Sequence, residues 1–114
     1  MTRVTVEYEG DHIRRLECAG HAGDAAQGEN IVCAAVSVLM QTCVNAIEQV
    51  AGIPPKTTVD ESQALIALEL PDMTDQQAHD AQIILRTTLL GLTDISHEYP
   101  QLVKLNRLYG RNLT

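Results

Sequence analysis

Residues 30–55, NIVCAAVSVLMQTCVNAIEQVAGIPP, decide how the rest of the chain must be arranged. Val32, Ala35, Val36, Leu39, Cys43, Ala46, Ile47 and Val50 recur at helical spacing and define one apolar stripe. Asn30 is a good helix-capping residue, and Gly52-Ile53-Pro54-Pro55 cannot continue a helix. The pattern predicts a helix over about residues 31–51. Cys33, Ser37, Met40, Gln41 and Val44 lie away from the centre of its stripe. A helix with one apolar stripe needs a layer to bury it against.

Reading outward from this helix, that layer is a sheet. Residues 3–8 alternate, with Val4, Val6 and Tyr8 on one face and Arg3, Thr5 and Glu7 on the other. Glu9-Gly10-Asp11 makes a turn, and residues 12–19 follow as a second strand through Ile13, Leu16 and Cys18, with imperfect alternation. The two form a hairpin. Beyond the helix, residues 56–60 are a candidate third strand. Residues 63–70 alternate through Ala64, Ile66, Leu68 and Leu70 as a fourth. Pro71-Asp72-Met73-Thr74 breaks the chain. Thr74 or Asp75 then caps a second helix over about 75–94, with Ala78, Ala81, Ile84, Leu85, Leu89 and Leu92 on one face. Leu102-Val103-Lys104-Leu105 reads as a final strand or as a helical turn. The layout predicts an α+β (α/β) fold of two layers. Its antiparallel or mixed sheet has four to five strands, and two long helices pack on it. A chain of 114 residues without a linker or repeat reads as one domain, 1–114.

With no Trp or Phe, the core must come from Leu, Ile, Val and Ala. The net charge of −7 argues against direct nucleic-acid binding, which needs a basic face. It permits a basic polypeptide as substrate. The first residues lack the apolar core of a signal peptide, and no run reads as the roughly 20 apolar residues of a membrane span. Cys18, Cys33 and Cys43 are odd in number and hold no CxxC pair, which disfavours a disulfide framework and a cysteine zinc site. The cytoplasm is the expected compartment, with no membrane partner, metal or cofactor.

Chemistry concentrates before and at the start of the first helix. Gly20-His21-Ala22-Gly23 opens a polar loop that closes at Gly28. A thiol at Cys33, in the first turn, would feel the helix dipole and the unpaired N–H groups, which favour thiolate. Gly20 and Gly23 allow the loop to fold back and bring the His21 imidazole to Cys33 as general base. Ser37, one turn on, projects from the same face as Cys33. Asn30 caps the helix or orients His21. Cys43, on the stripe, reads as a buried hydrophobe, and Cys18 as core or edge packing. His12, His79 and His97 read as surface residues.

The run Gly20-His21-Ala22-Gly23 with Gly28-Glu29-Asn30-Ile31-Val32-Cys33-Ala34-Ala35-Val36-Ser37 resembles the ribosomal-processing cysteine protease (Prp, YsxB-like) family. Its signature joins a Gly-His-Ala loop to Asp-Ile-Val-Cys-Ala-Ala-Val-Ser at a helix start. The resemblance implies a catalytic dyad of His21 and Cys33, supported by Asn30 and Ser37. It also implies a substrate loop holding Gly20, Ala22, Gly23 and Gly28. The implied substrate is a large-subunit ribosomal protein precursor that loses an N-terminal extension during ribosome assembly. A homodimer without cofactor or metal is implied too. The chain departs from the family at Asn30, where Asp is usual; Asp24 and Glu29 are the nearby carboxylates. Two rival readings are a non-catalytic ribosome-associated binding module and a thiol-redox protein using Cys33.

Overall fold

The structure, a computed structural model, describes residues 1–20 and 29–110, with side chains from residue 31 onward in the second stretch. Its elements are β1 (Thr2–Glu9), β2 (His12–Ala19), α1 (Glu29–Gln49), β3 (Lys56–Asp60), a 3-10 turn (Glu61–Gln63), β4 (Leu65–Glu69), α2 (Asp75–Glu98) and β5 (Val103–Tyr109). The sheet order is β3-β4-β2-β1-β5. All neighbours are antiparallel except β1 and β5, which run parallel. This is the expected two-layer α+β fold with a mixed sheet. Of the two readings of residues 102–105, the strand is the one adopted.

One pleat face carries the core. Val4, Val6, Leu16, Cys18, Leu68 and Val103 pack there with Val32, Val36, Met40, Cys43 and Ile47 of α1 and Leu85, Leu89 and Leu92 of α2. The opposite face is polar. There Arg15 meets Glu17 at 2.7 Å, Glu7 at 3.4 Å and Glu69 at 3.9 Å. Partial burial works against the charge of Arg15, but Glu17, Glu7 and Glu69 outweigh it and push its pKa up.

The imperfect alternation of β2 has a structural cause. Glu7 pairs with Arg15 but Tyr8 pairs with Ile13, so Arg14 is an extra residue in a β-bulge. Ile13 and Leu16 are three apart and would otherwise face opposite sides. The bulge turns both inward. Gln82 of α2 secures it: its buried amide accepts from the Ile13 N–H and donates to the Ile13 carbonyl, both at 2.8 Å.

Three expectations for the helices need correction. Met40 is fully buried and Val50 is 78% exposed, because the stripe follows 32, 36, 40, 43 and 47 and α1 ends at Gln49. α2 extends to Glu98, with Thr74 as its cap and Gln77 closing a capping box. Finally, Ile31–Gln49 is long and apolar enough, by length and composition, to cross a membrane. Here its apolar stripe is the floor of a folded core instead.

Candidate active site

The site is built where β1 begins and α1 has completed its first turn. α1 starts at Glu29, not after Asn30, so Asn30 lies inside the helix rather than at its cap. Cys33 is the fifth helical residue, and the unpaired N–H groups of the helix start precede it. The dipole therefore acts on this thiol from a turn away, where its influence has declined. Cys33 remains accessible: it is half-buried, whereas Cys18 and Cys43 are buried.

The side chain meeting Cys33 is one the sequence reading did not single out. Thr2 Oγ1 lies 3.8 Å from Cys33 Sγ. Thr2 is only 4% exposed, and its N–H donates to the Leu102 carbonyl at 2.8 Å, which fixes its position against β5. Extending the alternation of Val4 and Val6 back by one step places Thr2 on the helix-facing side. The expected strand began one residue too late to catch it.

Gly20 explains itself locally. Its φ is +91°, and a Cβ there would fall on the Met1 carbonyl oxygen. Its N–H donates to the Gln63 carbonyl at 3.1 Å. Glycine thus lets the end of β2 pass under the start of β1, beside the Thr2–Cys33 contact. Ser37 is exposed and sits one turn beyond Cys33 on the same side of α1. His21, Ala22, Gly23 and Gly28 lie outside the described residues, as does the side chain of Asn30.

The other two cysteines are unsuited to nucleophilic work. Burial pushes the Cys18 thiol up to about 12, with Glu17 and Cys43 adding to the effect. Burial also raises Cys43, against a hydrogen bond from Thr88 that lowers it. Both stay protonated at neutral pH and out of reach of a substrate, which leaves Cys33 as the accessible thiol of the three. Among the described residues no group of three or more His, Cys, Asp or Glu converges as metal ligands.

Known proteins fit this geometry. The ribosomal processing cysteine protease Prp of Bacillus subtilis is 30% identical over 101 residues, 87% of this chain and 90% of that protein. A crystal structure of an essential ribosomal processing protease Prp from S. aureus, in complex with a substrate peptide, superposes with a TM-score of 0.83 at 27% identity. It covers 94% of this chain and 99% of that one. A second S. aureus Prp structure, with a covalently linked product peptide, gives a TM-score of 0.81 at 28% identity over the same shares. The family model for cysteine protease Prp matches residues 1–104, and the chain accordingly belongs to that family of cysteine proteases.

Proposed function

We propose that this cysteine protease removes an N-terminal extension from the precursor of a large-subunit ribosomal protein, in the cytoplasm and as a homodimer. The observation that carries the reading is the placement of Cys33. Of the three cysteines it alone is accessible, and it lies on the helix start whose sequence carries the family signature. The Prp relatives named above are ribosomal processing proteases, and one of them holds a substrate peptide. The acidic chain, at −7, suits a basic ribosomal substrate.

In this reading Cys33 Sγ attacks the scissile carbonyl carbon. His21 takes the thiol proton and returns it to the leaving amine as the C–N bond breaks. Water then attacks the thioester, releasing the new carboxylate and regenerating the thiol. Ser37 and Asn30 support the dyad. Gly20, Ala22, Gly23 and Gly28 belong to the loop assigned to the substrate.

The test is mass-spectrometric cleavage of an N-terminally extended ribosomal-protein precursor. Cys33→Ser is expected to abolish cleavage with an unchanged melting temperature, because a serine hydroxyl is not ionised at neutral pH. Cys43→Ser is expected to keep activity and lose about 1–3 kcal/mol of stability through a polar group in the core. Exchanged phenotypes overturn the assignment of the nucleophile. His21→Ala is expected to lower kcat more than it raises KM. Sedimentation equilibrium tests the dimer.

A further inference from the structure

α1 presents a second line of side chains beside its core stripe. Cys33, Ser37, Gln41 and Val44 follow one another at helical spacing on the flank away from α2. From Ser37 onward this flank forms one wall of a groove of about 510 Å³. Thr57 and Val59 of β3, with Ile66 of β4, line the other side. β3 is an edge strand, and Val59 is 63% exposed. The end of the groove nearest the thiol is identified by two contacts. Gln63, at the end of the 3-10 turn, accepts from Gly20, and Gly20 lies under the strand start that holds Thr2 against Cys33. Asp60 and Glu61 line that end, and the groove has no basic lining residue among those described.

The dimensions and chemistry fit one kind of occupant. Ser37 to Asn45 spans about 12 Å of helix, the length of roughly four residues of extended chain. Gln41 and Asn45 offer amides that pair with a peptide backbone. Ser37, one helical turn beyond Cys33, is the lining residue of α1 nearest that thiol in sequence. We propose that this groove holds the substrate segment on one side of the scissile bond, and that Asp60 and Glu61 select a Lys or Arg side chain within it. The proposal rests on the protease reading and adds to it a seat for the substrate and a preference. Asp60 also caps the 3-10 turn, accepting from the Ser62 N–H at 3.0 Å and the Ser62 hydroxyl at 2.7 Å. Asparagine preserves that cap while removing the charge.

The probe is a synthetic peptide library in which one position at a time, on either side of the cleaved bond, carries Lys or its neutral analogue norleucine. The wild-type protein is expected to show a higher kcat/KM for Lys at one flanking position. In Asp60→Asn/Glu61→Gln that ratio is expected to fall roughly two- to fivefold at low salt, and in the wild type to decline as salt rises. Glu61→Gln alone, which leaves the turn cap untouched, is expected to show part of the fall. Asp94→Asn/Glu98→Gln removes the same charge from α2 and is expected to leave the ratio unchanged. An equal fall in that control, or no fall in the groove variants, overturns the proposal. If the wild type cleaves no peptide, the protease reading fails by itself. The groove is then judged by binding of the same library to Cys33→Ala: Lys preference that Asp60→Asn/Glu61→Gln abolishes sustains it, and equal binding of Lys and norleucine peptides refutes it.

Discussion

Thr2 is the residue on which the Cys33 thiol leans. Its hydroxyl lies 3.8 Å from the sulfur, and its position is fixed by β-pairing rather than by a flexible loop. Thr2→Val keeps the shape and removes the hydroxyl. It is expected to lower kcat about three- to tenfold with KM little changed, and Thr2→Ser is expected to restore it. A purely structural role would shift the melting temperature and leave kcat in place. Asn30 poses the complementary question. The helix begins at Glu29, so aspartate at position 30 sits in the first turn and gains about 0.3–1 kcal/mol from the dipole. Asn30→Asp is expected to raise turnover modestly near neutral pH, measured on the same peptide with thermal melts to separate chemistry from folding. A large fall would mean that the amide itself makes a needed contact. The difference between the thiols was legible in the sequence because the apolar stripe skips the half-buried Cys33 and includes the buried Cys43. Thr2 was not, since threonine at a strand start has no signature apart from the parity it shares with Val4.

At the level of elements, α1 serves three neighbours. One line of side chains forms the core, a second meets α2 where Leu39 packs on Gly91, and a third runs from Cys33 along the groove. Periodicity located the first line nearly in full. It misjudged Met40 and Val50 because a stripe's centre depends on where the helix sits, which sequence spacing leaves open by a residue or two. The bulge in β2 was visible only as a fault in the alternation, since a bulge is defined by its partner strand. Its consequence is Gln82, a polar residue that α2 buries beside Ala81 and Leu85. Gln82→Ala leaves the Ile13 N–H and carbonyl without their partner and opens a cavity. It is expected to cost about 2–3 kcal/mol in urea unfolding. Gln82→Leu, which fills the space but restores no hydrogen bond, is expected to recover only part of the loss.

For the molecule as a whole, the buried thiols link stability to pH. Cys18 rises from an ordinary value of 9.0 to about 12 in the folded state. The unfolded chain therefore releases this proton above pH 9 while the native state keeps it. Its contribution to stability is full below pH 9 and is lost as pH climbs toward 12. The urea midpoint is expected to fall over that range and to fall less in Cys18→Ala, compared with each protein's own midpoint at pH 7. The sheet order was beyond the reach of pattern reading for a related reason. Hairpins declare themselves through their turns, but the parallel pairing of β1 with β5 joins segments about a hundred residues apart and leaves no local mark. That pairing also sets a timetable. β1 is synthesised well before β5, and Thr2 takes its place only when Leu102 and Val103 have arrived beside it. Until then the strand that braces the thiol is an open edge. The brace at Cys33 is thus completed only when a strand made about a hundred residues later docks beside β1, so a chain halted before β5 leaves that thiol without it.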